Sequence, residues 1–87
     1  MVLENRAIRA RILDELAMLH EVLGLSQSMH AQAITDAIGK NVNVVLNNVD
    51  VLNDLELIVP NLMGDFRITE SGLLDVQNRR NSREAEN

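Results

Sequence analysis

Asn43, Asn47 and Asn48 are the residues of this chain best suited to specific recognition. A carboxamide carries a donor and an acceptor side by side, and that pair matches N6 and N7 of adenine in a DNA major groove. Lys40 precedes the three asparagines and Arg67 follows them. Cations placed on either side of such a set would hold phosphates. The competing use of these residues is a helix face that is solvated or covered by a partner. Asp50 and Asp54 favour that use, because carboxylates repel phosphate. No arginine lies between Lys40 and Arg67. Arginine to guanine, the commonest specific contact, is therefore excluded from this segment.

A second set is apolar. Val44, Leu46 and Val51 lie off the main apolar stripe of their segment, which makes them candidates for a protein interface. Burying three such side chains would contribute about 3–6 kcal/mol before association costs. Rotation of the helix, which would turn them into the core, is the alternative. Leu3, Ala7, Ala10 and Met18 also lie away from the stripe of their helix and mark a candidate dimer seam; scattered surface apolar groups would read the same way.

Other chemistry is thinly represented. His20 and His30 are the two histidines and lack metal-ligand spacing. No Gly-rich phosphate loop and no nucleophile–base–orienter set can be assembled, so no catalytic residue, metal or cofactor is expected. Arg6, Arg9 and Arg11 near the start and Arg79, Arg80 and Arg83 near the end would merge into one patch if the first and last helices pack side by side. Solvated helix faces are the simpler use of both groups.

The elements that must position these residues follow from periodicity. Val45, Val49 and Leu52 fall at i, i+4 and i+7 and predict a helix from Asn41, its N-cap, to about Leu55. Five valines make a strand over 42–46 the rival, since β-branched residues favour strands. Before this segment, Ile8, Ile12, Leu16, Leu19 and Leu23 predict a long helix over Leu3–Leu23, ended by Gly24. A short helix over Met29–Ile38 follows, capped by Ser28, with Ile34, Ala37 and Ile38 inward and Gly39 closing it. Leu57–Pro60 and Phe66–Ile68 predict a hairpin, and Thr69 caps a last helix from Glu70 to about Arg80. Leu73, Leu74 and Val76 supply its apolar face, and residues 81–87 read as a polar, frayed tail.

Length and composition bound the rest. Eighty-seven residues, 46% of them apolar, suffice for one domain, placed at residues 1–80. No cysteine is present, so disulfides and thiolate metal sites are excluded. No apolar run reaches membrane-spanning length and no signal peptide is visible, so a cytoplasmic protein without membrane contact is expected. The net charge of −5, from 13 acidic and 8 basic residues, lowers the expectation of nucleic-acid binding without excluding a local basic patch. Phe66 is the single aromatic, which argues against base stacking on single strands.

The order helix, helix, helix, hairpin, helix resembles the winged helix-turn-helix superfamily across about residues 8–77. Regulators of the MarR, ArsR and PadR types share three signatures that recur here in order. Ile34-Thr35-Asp36-Ala37-Ile38-Gly39 is similar to their Ile-Ala-x-x-Ile/Leu-Gly of the second helix. Val45, Val49 and Leu52 followed by Glu56-Leu57-Ile58 resemble the third helix running into Gly-Leu-Val/Ile, with Glu56 in place of glycine. Ile68-Thr69-Glu70-Ser71-Gly72 resembles Leu-Thr-x-x-Gly after the wing. The resemblance implies a mainly α fold with a small hairpin, and a transcriptional regulator that binds double-stranded DNA as a homodimer. The alternative is an acidic winged helix that contacts protein instead. Glu56 implies a third helix that ends without a left-handed residue, or one strained by about 1 kcal/mol.

Overall fold

The computed structural model describes residues 2–24 and 28–86, with side chains over 4–24 and 28–82. The element order is α1 (Val2–Leu23), α2 (Ala31–Ile38), α3 (Val42–Asp54), β1 (Ile58–Pro60), β2 (Phe66–Ile68) and α4 (Glu70–Glu86). The protein is thus mainly helical with one antiparallel hairpin, as its periodicity predicts. Leu3 and the Leu25–Gln27 part of the connector fall outside the described side chains.

The core forms where α1 crosses the other elements. Ile8, Ile12, Leu13, Leu16 and Ala17 of α1 meet Ile34 and Ile38 of α2, Val45, Val49 and Leu52 of α3, Ile58, Ile68 and Val76. The predicted α1 stripe holds to Leu16, but Leu19 is half-buried and Leu23 exposed, because α1 outruns the body it packs on. In α2, Thr35 rather than Ala37 faces inward, and its hydroxyl donates to the Ala31 carbonyl at 2.9 Å, which makes its burial tolerable.

Helix ends show how local chemistry sets the boundaries. His30, not Ser28, caps α2: its Nδ1 accepts from the Gln32 N–H at 3.2 Å. The helix starts late because Met29 is bonded into the hairpin, exchanging both backbone bonds with Phe66 at 2.8 Å. Gly39, at φ 74°, ends α2 and turns the chain into α3, and Arg11 donates to the freed carbonyls of Ile38 and Ala37. Asn41 caps α3 by accepting from the Asn43 N–H at 2.8 Å, and the rival strand over 42–46 is not formed. The tertiary stripe of Val45, Val49 and Leu52 outweighs β propensity there.

The far end of α3 closes with two bonds, Leu57 N–H to the Leu52 carbonyl and Glu56 N–H to the Asn53 carbonyl, both 3.0 Å. This is a Schellman arrangement with Glu56 at the left-handed position, φ 62°. The strained alternative predicted for Glu56 is the one adopted. In the hairpin Ile58, Val59 and Pro60 pair with Ile68, Arg67 and Phe66, respectively. Asn61 builds the tip: its side chain accepts from the N–H groups of Met63 and Asp65. α4 does not stop near Arg80 but runs to Glu86, through Arg, Glu and Ala residues that favour helix.

Candidate nucleic-acid interface

α3 is held by its buried side, and this decides which residues it can offer. At 100° per residue, the positions opposite Val45, Val49 and Leu52 are Asn43, Asn47, Asp50 and Asp54. All four are exposed. The outermost ridge of α3 therefore carries carboxamides in its first half and carboxylates in its second. Asn43 and Asp50 are separated by about 10 Å along the axis, from 1.5 Å of rise per residue.

Asn48 does not belong to this ridge, which corrects its assignment as a base contact. It faces α1 and is 3% exposed. Its Oδ1 accepts from Arg9 at 3.1 Å, and its Nδ2 donates to the Val44 carbonyl at 2.9 Å and to Asn5 Oδ1 at 3.4 Å. A buried carboxamide with these bonds made has nothing left for a base edge. Sequence spacing held a warning, since Asn48 lies three residues after Val45 and one before Val49, on the inward side.

The apolar candidates are also redistributed. Val44 is half-buried and packs against the core. Leu46 and Val51 are 37% and 39% exposed. Five residues apart on a helix, they point about 140° from each other, across the polar ridge. Leu46 groups with exposed Val42, and Val51 leans toward Asn5 and Arg9 of α1. The three residues form no single apolar patch. On α1, Ala7 is exposed and Met18 half-exposed, but Met18 groups with Val22, Leu23 and Met29 at the other end of the helix from Ala7.

The cations are mostly engaged. Lys40 Nζ lies 3.4 Å from Glu4 Oε1, an exposed pair. Arg67 is exposed on β2, in a shallow depression shared with Glu56 and Glu70. Helices α1 and α4 do pack together, and they gather Arg6, Arg9 and Arg79 at one cleft. Arg79 is held there by Asp14 at 3.0 Å and Asp75 at 3.3 Å. Arg80 pairs elsewhere, with Glu21 at 2.8 Å, and that hydrogen bond raises its pKa above the ordinary arginine value. Arg11 is occupied at the end of α2, and the Arg83 side chain lies outside the described set. The predicted merger of two basic groups is thus a three-arginine cleft rather than a broad patch.

No cluster of three metal-ligating side chains occurs among the described residues. No helix there is long and apolar enough to cross a membrane. Compared with known protein families, curated proteins and solved structures, the chain matches none.

Proposed function

We propose that this chain is a winged helix-turn-helix regulator that binds double-stranded DNA, working as a homodimer. The observation that carries the proposal is the outer ridge of α3. It is wholly polar, and it presents Asn43 and Asn47 at the N-terminal half. Recognition helices of helix-turn-helix proteins place their N-terminal residues against base edges. The positive end of the α3 dipole lies at that half, which favours approach to phosphates. Asp50 and Asp54 lie at the other half, further from a groove entered N-terminus first. Lys40, released from its surface pair with Glu4, and Arg67 on the hairpin are the phosphate contacts on either side. An exposed pair such as Lys40–Glu4 is worth only about 0–1 kcal/mol, so its release costs little. Exposed Met18, Val22 and Leu23 are the apolar surface through which two copies would pair.

The separation of Leu46 from Val51 weighs against the protein-contact alternative. The deciding experiment is fluorescence anisotropy of a random labelled duplex at about 50 and 200 mM salt. Two phosphate contacts per copy give a log–log salt slope near −1.8, or about −3.6 for a dimer, so affinity should fall about 12-fold or 150-fold over that range. Lys40→Ala weakens all sequences alike, and Asn47→Ala relaxes the preference among selected sites. Folded protein that binds no duplex at the lower salt, random or selected, would overturn the proposal.

A further inference from the structure

The turn of the hairpin carries large apolar residues where small polar ones are usual. Turns favour Gly, Asn, Asp, Ser and Pro, yet Leu62 and Met63 stand here, 106% and 82% exposed. They are also held in place. The Asn61 N–H donates to the Asp65 carbonyl at 2.8 Å, and the Gly64 N–H to the Asn61 carbonyl at 3.1 Å. The Asn61 side chain accepts from Met63 and Asp65 and donates to Ser28 Oγ at 3.2 Å. The tip is therefore a braced apolar knob.

A recess of matching character lies beside the hairpin. Met18, Leu19, Val22, Leu23 and Met29 line an apolar crevice of about 240 Å³, with Glu15 as its one charged lining residue. That exceeds the roughly 150 Å³ that accepts a benzene ring. Crevice and hairpin meet at residues 28–29: Ser28 accepts from Asn61, and Met29 exchanges backbone bonds with Phe66. The knob does not fill the recess of its own chain, since Leu62 and Met63 are left in solvent.

We propose that the occupant of the crevice is a second copy of this chain, with Leu62 and Met63 of each copy seated among Met18, Val22, Leu23 and Met29 of the other. The inference rests on the proposed homodimer and names the element that completes its seam. Knob and recess adjoin on one molecule, which is the self-complementarity that a two-fold contact requires. Asn61–Gly64 is uncharged and the crevice holds a single carboxylate, so two chains of net charge −5 can meet here with little opposition of like charges. A braced tip also loses little conformational freedom on docking. The contact is small against the roughly 20–30 residues a side of a standard interface, so the dimer should dissociate at about 1–100 µM.

The test is analytical ultracentrifugation of the full chain at about 1–500 µM, a span that brackets this range, with no DNA present. The parent should pass from monomer to dimer. Leu62→Glu and Val22→Lys should each weaken the dimer at least about tenfold, the effect of about 1.4 kcal/mol. Both positions are exposed and outside the core, and far-ultraviolet circular dichroism verifies that the variants fold. An equimolar mixture of the two variants should dimerise again. One of its contacts then sets the new carboxylate of a tip beside the new ammonium of a crevice, and the other keeps the parent residues. A dimer that survives Leu62→Glu, or a mixture that stays monomeric, overturns the tip-to-crevice contact and leaves the homodimer standing. Loss with Leu62→Glu but not with Val22→Lys shows tips meeting each other and likewise overturns it. A parent that is monomeric throughout overturns this contact and the homodimer together, leaving duplex binding to its own assay.

Discussion

Gly72→Ala is the most informative single substitution, because it strikes where the hairpin, α3 and α4 meet. A Cβ at Gly72 would run into the Leu57 carbonyl oxygen and stand 2.6 Å from Ile68 Cγ1. The side chain of Ile68 can yield, but the carbonyl cannot rotate away. It is a backbone atom that accepts from the Thr69 N–H at 3.1 Å, and the next step back along the chain closes α3. Forcing a methyl into such a space costs about 1–3 kcal/mol, here at the upper end or beyond because the obstacle is backbone. The better helix propensity of alanine returns less than about 1 kcal/mol. The net loss should be about 2–3 kcal/mol, or a fall in Tm of roughly 8–24 °C for a domain of this size. Thermal and urea unfolding followed by far-ultraviolet circular dichroism measure it. Gly39→Ala is the control, since Gly39 has φ 74° but open space around it, so only the dihedral cost of about 1–2 kcal/mol applies. If Gly72→Ala proves no more costly than Gly39→Ala, the close approach of α4 to the α3–β1 turn is wrong.

Thr69→Val should cost about 1–2 kcal/mol in urea unfolding, because the hydroxyl both donates to the Glu56 carbonyl at 2.7 Å and accepts from the Gly72 N–H at 3.0 Å; Thr69→Ser should retain most of it. Asn48→Ala should destabilise by about 1–3 kcal/mol by stripping Arg9 of its buried partner, whereas Asn47→Ala, on the exposed ridge, should change unfolding by less than about 0.5 kcal/mol. Equal losses for the two asparagines would refute the division between core and ridge. Glu56→Gly should stay within about 1 kcal/mol of the parent, relief of strain being offset by a freer unfolded chain, while Glu56→Val should cost about 1–2 kcal/mol because a β-branched side chain resists φ 62°.

Much of the fold is legible in the sequence because its periodic runs are strong and its caps are local. Asn41 and Gly39 announce the turn between α2 and α3, and Thr69 announces α4. What could not be read are consequences of packing. Ser28 is as good a cap as His30 by type, yet the Met29–Phe66 bridge pulls the chain straight past it. Leu74 looks like core by spacing with Leu73 and Val76, but α4 presents only Val76 fully to α1, and Leu74 remains exposed. For the candidate site the same holds. Helical phase already turns Asn48 inward and Asn47 outward, but the partner that makes the burial of Asn48 tolerable, Arg9, lies 39 residues away and could not be read.

The disposition of charge then constrains what kind of DNA binder this would be. Of the cations, Arg79 and Arg80 tie α4 to α1, Lys40 pairs with Glu4, and Arg11 closes α2. Arg6 and Arg9 line a cleft behind α3, and Arg9, engaged by Asn48, also borders a depression that reaches Asn47. Arg67 alone stands unpaired beside the hairpin among the described residues, and Glu56 and Glu70 dilute its field. Phosphate attraction, which supplies most non-specific affinity, is therefore weak in this molecule. Under the proposed function, binding would have to draw on direct contacts from Asn43 and Asn47 and on the coupling of two copies. Each copy alone would be a poor binder of arbitrary sequence, and a pair of half-sites spaced for the dimer would be needed to reach useful affinity. Separating two selected half-sites by an extra half-turn of duplex, about 5 base pairs, should therefore abolish binding rather than merely weaken it. Retained binding on that duplex would mean that a single copy carries enough affinity by itself, contrary to its charge.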